Sequence, residues 1–149
     1  MKTIMSIVAI ALLQFTANAQ HDMAEVLSKY MDVKDALVKS DSKLTASTAS
    51  ELLKTIEATA AFKQKGGLSK AVKKVSGTTD LEAQRAAFAD VSELMWEAVK
   101  NDGHIHQDIY YQYCPMKKVY WLSEEPAIRN PYYGSAMLTC GNVADKRVQ

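Results

Sequence analysis

The chain has 149 residues, of which 48% are hydrophobic and 23% charged, a length and balance that fit one globular domain with a single core. Six glycines and three prolines exclude a collagen-like or generally disordered chain. With 18 Lys and Arg against 17 Asp and Glu the charge balance gives no reason to expect nucleic acid as a partner, since phosphate binding needs a concentrated basic surface.

The first nineteen residues read as a secretory signal. Lys2 supplies a positive start, residues 4–13 are almost wholly apolar, and Ala17-Asn18-Ala19 gives an A-x-A site with cleavage after Ala19. An apolar run of about ten residues is too short to cross a bilayer core of ~30 Å. Nothing after residue 20 is long or apolar enough to do so, and no Cys follows the run to carry a lipid. The expectation is one periplasmic or secreted domain over residues 20–149. Loss of Lys2 leaves 17 basic against 17 acidic side chains, a net charge of zero.

Residues 22–101 have helical periodicity. Val26, Tyr30, Val33 and Leu37 line one face of a first helix, and Ser40-Asp41-Ser42 breaks it and offers the next cap. Leu44, Leu52, Leu53, Ile56 and Ala60 mark a second helix, expected to end near Lys65 at a Gly66-Gly67 stop. A short helix is expected over residues 68–75. Thr79-Asp80-Leu81-Glu82 has the T-x-x-E form of a capping box, so Thr79 is the expected cap of a third long helix. Ala87, Val91, Leu94 and Ala98 share one face, with Phe88, Met95 and Val99 widening it, and Asn101-Asp102-Gly103 ends it.

After Gly103 the period changes. Six of the seven tyrosines and all three prolines lie beyond it, residues 109–113 and 119–122 read as strands, and Asn130-Pro131 and Tyr133-Gly134 read as turns. The expected fold is mainly α: an antiparallel three- to four-helix bundle, with a short irregular or β cap formed by residues 104–149.

No catalytic constellation stands out. The chain lacks a G-x-S-x-G elbow and an H-E-x-x-H helix, so it is not expected to be an enzyme. The chemistry sits in Cys114-Pro115-Met116 and Met137-Leu138-Thr139-Cys140. In an extended segment Cys114 and Met116 share a face, and in a helical turn so do Met137 and Cys140. Two thiols and two thioethers are soft donors suited to Cu(I) or Ag(I). His104 and His106 are auxiliary candidates. The alternative is a Cys114–Cys140 disulfide, usual in an oxidising compartment, stapling a non-catalytic interaction or structural module. Closing a loop of about 27 residues, it would add roughly 3.5 kcal/mol in the chain-entropy model. Lys63, Lys65, Lys70, Lys73 and Lys74 form a local basic patch, expected to be a solvated corner or, in the stapled alternative, a docking surface.

The ordered set Tyr113-Cys114-Pro115-Met116, Trp121-Leu122-Ser123, Ile128-Arg129-Asn130-Pro131-Tyr132-Tyr133-Gly134 and Met137-Leu138-Thr139-Cys140-Gly141 resembles domain of unknown function 3347. Asp35-Ala36-Leu37-Val38-Lys39-Ser40-Asp41 and Gln84-Arg85-Ala86-Ala87-Phe88 resemble its helix motifs. The resemblance implies an exported bacterial domain, found alone or fused to periplasmic adaptor subunits of heavy-metal efflux pumps. It therefore implies copper or silver handling, with an efflux adaptor or another envelope protein as partner and Cys114, Met116, Met137 and Cys140 as ligands. The family's usual longer, Gly-rich stretch between Cys-Pro-Met and Trp-Leu-Ser is replaced here by Lys117, Lys118, Val119 and Tyr120 alone.

Overall fold

A computed structural model describes residues 22–148; the expected signal peptide lies outside them. Four helices come first: α1 (Met23–Val38), α2 (Ser42–Ala58), α3 (Lys65–Ser76) and α4 (Leu81–Val99). A small antiparallel sheet follows, of β1 (Ile109–Cys114), β2 (Val119–Ser123) and β3 (Asn142–Arg147), in the order β2-β1-β3. A 3-10 turn, Gly134–Ala136, interrupts the long connection from β2 to β3. Each helix packs on the next in sequence, and α4 also meets α1, α2 and β2. Among the described residues no helix is long and apolar enough to cross a membrane.

The α1 stripe behaves as its spacing predicts, since Val26, Tyr30, Val33 and Leu37 are all buried. Asp22 caps the helix by accepting the Glu25 N–H at 2.9 Å. It ends where Ser40 takes a left-handed φ of 56° and the Asp41 N–H returns to the Ala36 carbonyl. Asp41 then caps α2 by accepting the Leu44 N–H at 2.9 Å, as the Ser-Asp-Ser break implies.

Three expectations about the helices and one about the C-terminal segment need correction. The second helix stops at Ala58, well before Lys65. Thr59 turns extended (ψ 152°), its hydroxyl donates to the Thr55 carbonyl, and the Lys65 ammonium donates to the carbonyls of Glu57 and Thr59. A cation at the negative helix end does the work expected of the glycine pair. Gly66 and Gly67 instead lie inside the first turn of α3, where the backbone N–H groups have no intrahelical partner to lose. The cap of α4 is Asp80 rather than Thr79: its carboxylate accepts the Ala83 N–H at 2.7 Å. A charged acceptor suits the positive helix end, and Glu82 is drawn away to Arg85 and Lys117, so no reciprocal box forms. The strand β3 carries no sequence signal, because five of its six residues are exposed and the pattern has no apolar alternation.

One residue ties the helices to the sheet. The Tyr30 ring stacks on Phe88 with centroids 5.1 Å apart. Its hydroxyl shares a 2.7 Å hydrogen bond with Ser92 and accepts the Leu122 N–H of β2 at 3.0 Å. Farther along α4, Trp96 stacks on Tyr111 at 4.7 Å, and Tyr111 stacks on Tyr120 at 4.6 Å. The Trp96–Tyr111 stack thus joins α4 to the sheet, and the Tyr111–Tyr120 stack continues it from β1 to β2.

Candidate functional site

Cys114 ends β1 opposite Val119 and is fully buried in the core. The four-residue turn 115–118 follows. It is closed by the Lys118 N–H bonding the Cys114 carbonyl at 2.8 Å, with Lys118 itself at a left-handed φ of 57°. The strand alternation that would place Met116 beside Cys114 ends at Cys114, and Met116 is 65% exposed. Lys117 anchors the turn, with its ammonium 3.2 Å from the Glu82 carboxylate of α4 and 5.1 Å from the Tyr133 ring centroid.

The second arm is built around Asn130, which is fully buried. Its N–H donates to the Leu138 carbonyl at 2.8 Å, its side-chain amide to the Cys140 carbonyl at 2.7 Å, and its side-chain oxygen accepts the Tyr132 N–H. Arg85, buried on α4, holds the same arm by donating to the Pro131 carbonyl at 3.0 Å while also reaching Ser40 and Leu37. Met137 to Cys140 form a turn closed by the Cys140 N–H and the Met137 carbonyl at 3.1 Å, not a helical turn. Met137 is 38% exposed.

These arms bring the thiols together. The register Tyr113↔Asn142 draws Gly141 opposite Cys114 and places Cys140 beside it. Gly141 makes this approach possible: a Cβ there would lie 2.8 Å from both the Trp121 ring and the Tyr113 carbonyl. Both cysteines are free thiols, Cys140 half-buried. Burial, then the neighbouring Cys114 thiol and its hydrogen bond, raise the Cys140 thiol above its ordinary pKa. Gln112, two residues before Cys114 on the same strand face, pairs across the sheet with Trp121. The Gln112 amide N–H groups bond the carbonyls of Glu125, Pro126 and Ala127, while its oxygen and the Trp121 indole N–H are buried without a partner.

The histidines lie elsewhere. His104 and His106 are exposed and precede the opposite end of β1, whose five residue steps from Ile109 to Cys114 span roughly 17 Å. The His104 ring nitrogen bonds Asp102 at 3.2 Å. Among the described residues, no three or more His, Cys, Asp or Glu side chains come together as a metal-holding group. A metal at the thiol pair would thus meet sulfur rather than carboxylate or imidazole. In the lysine patch, Lys65 caps α2, Lys73 meets Glu57 at 3.5 Å and Lys74 meets Asp90 at 4.0 Å. Two of its five ammonium groups thus meet acids, one on α2 and one on α4.

Asn130 and Arg85, which position the thiol arm, were legible only as parts of a turn and a helix motif. Neither carries a signal of its own, because each acts through carbonyls distant in sequence. A profile of the family described as protein of unknown function DUF3347 matches residues 26–107, from α1 through α4 to the loop before β1, and stops short of Cys114. No curated protein and no solved structure matches the chain. A match over more than half of the sequence, on the helices that carry the sheet and its thiols, establishes that the chain belongs to the family of proteins of unknown function DUF3347.

Proposed function

We propose that this domain is a non-catalytic, exported carrier of Cu(I) or Ag(I), periplasmic or secreted, which takes the ion on the sulfur atoms of Cys114, Cys140, Met116 and Met137. In this reading the four helices form an antiparallel bundle that serves as scaffold, and the ion passes to a heavy-metal efflux adaptor or another envelope protein. The single observation that carries the reading is the meeting of the two thiols from opposite ends of the C-terminal segment, flanked by turns bearing the methionines. Thiolate and thioether select soft monovalent ions, and a pair of thiols without carboxylate or imidazole suits neither hard cations nor the usual zinc site. Anaerobic titration of the reduced protein against a chromogenic Cu(I) chelator tests it. One Cu(I) per chain is expected, with binding lost in Cys114→Ser with Cys140→Ser.

The same proximity supports a second reading, a Cys114–Cys140 disulfide stapling an interaction module. Intact mass with and without reductant, followed by thiol alkylation, separates the two. A bond formed in every molecule as isolated favours the staple.

A further inference from the structure

We infer that the four sulfurs act as two stations: the exposed thioethers of Met116 and Met137 receive the ion, and the Cys114–Cys140 pair alone holds it. The inference deepens the proposed function and rests on it. It follows from how differently the structure exposes and restrains the donors. Met116 is 65% and Met137 38% exposed, whereas Cys114 is fully buried and Cys140 half-buried.

The outward position of Met116 is built in. Its turn is closed by the hydrogen bond from Lys118 to the Cys114 carbonyl, and Lys117 on the same turn is tied to Glu82 and Tyr133. The backbone that carries Met116 is thus held on both sides of it. Met137 likewise sits on a turn whose neighbours Leu138 and Cys140 are both fixed by Asn130. The thioethers are thus presented to solvent ahead of the thiols.

The chemistry divides in the same way. A thioether is neutral, needs no deprotonation and is the weaker donor, which suits capture and hand-on. A thiol must lose its proton to bind strongly. Transfer inward is a ligand exchange without change of oxidation state: Cu⁺ leaves the thioethers, two S–H bonds break, two Cu–S bonds form, and two protons go to solvent. The product is a two-coordinate bis-thiolate with a net charge of −1.

The test compares Met116→Ala with Met137→Ala against the parent protein, reduced and anaerobic, with Cu(I) supplied as its bicinchoninate complex. Stopped-flow absorbance reads loading, competition reads equilibrium affinity, and copper-edge X-ray absorption counts sulfur neighbours. The expected result is loading slowed by about tenfold or more, affinity held within about threefold, and two sulfur neighbours in both proteins. A loss of affinity matching the loss of rate, three or four sulfur neighbours in the parent, or unchanged loading would each overturn the two-station scheme. A parent protein that binds no Cu(I), or whose affinity survives Cys114→Ser with Cys140→Ser, would instead overturn the proposed function beneath it.

Discussion

Tyr30→Phe removes one oxygen and leaves the ring where it is, stacked on Phe88. Two groups lose their partner: the Leu122 N–H, 3.0 Å from the hydroxyl, and the Ser92 hydroxyl, 2.7 Å from it. A buried donor left unmet costs about 1–3 kcal/mol. Ser92, on a helix, can turn its hydroxyl to the carbonyl one turn back. The Leu122 N–H has no such recourse, being aimed at α1 from an edge strand. The expected loss is therefore about 2 kcal/mol, and the midpoint of thermal unfolding should fall by roughly 6–10 °C for a domain of this size. Urea unfolding followed by circular dichroism measures it, and the slope should stay unchanged because the surface exposed on unfolding is the same. Adding Ser92→Ala to Tyr30→Phe should cost little more, since both substitutions remove the same hydrogen bond. A single-variant loss below about 0.5 kcal/mol, or a fully additive double variant, would refute this account of how the sheet is fastened.

The remaining expectations concern caps, glycines and one carboxylate. Asp80→Ala should destabilise the domain by about 1 kcal/mol and Thr79→Ala by a few tenths, the reverse of what the T-x-x-E motif implies; equilibrium urea curves compare them directly. Gly134→Ala should cost roughly 2 kcal/mol or more, because φ is +57° and the new methyl would meet the Ser40 hydroxyl at 2.5 Å and the Val38 carbonyl at 3.0 Å. Gly66→Ala, inside α3 with nothing within 4 Å, should gain about 0.5 kcal/mol in the same assay, whereas a gain of zero or a loss would revive the helix-stop reading. Arg85, then Lys117, hold the Glu82 carboxyl below its ordinary pKa, so its contribution is full above the unfolded carboxylate range and disappears as pH falls through the folded value. Glu82 is mostly exposed, so Glu82→Gln should cost only about 0.5 kcal/mol at pH 7, with the gap closing below about pH 4; a gap that widens in acid would contradict the pairing.

What the sequence made legible follows from which side chains are buried on one face. The α1 stripe could be read because Val26, Tyr30, Val33 and Leu37 are core residues at helical spacing, and the first two strands because their short aromatic and apolar runs, Trp121 and Leu122 among them, enter the core. The end of α2 could not, because it depends on Lys65 reaching back to two carbonyls rather than on a local breaker. Nor could β3, an edge strand with solvent on both faces. Cys114 and Cys140 stood out as chemistry by residue type, but their proximity depends on a strand register and on Gly141, which no short-range pattern encodes. His104 and His106 looked near Cys114 along the chain, yet an intervening strand is a rigid spacer and carries them to its other end. The alternation argument for Met116 failed at a turn, where the strand period no longer applies.

The central claim is that the two thiols, brought together by β1 and the Asn130-held arm, form a site for a soft monovalent ion. Its most direct test is competitive Cu(I) titration of the reduced protein, without oxygen, beside Cys114→Ser with Cys140→Ser. The account predicts one ion per chain held against a micromolar-range chelator by the parent, and an affinity at least about a hundredfold weaker, equivalent to ~2.7 kcal/mol, in the variant. Equal affinity in the two proteins, or no binding by the reduced parent, would contradict it.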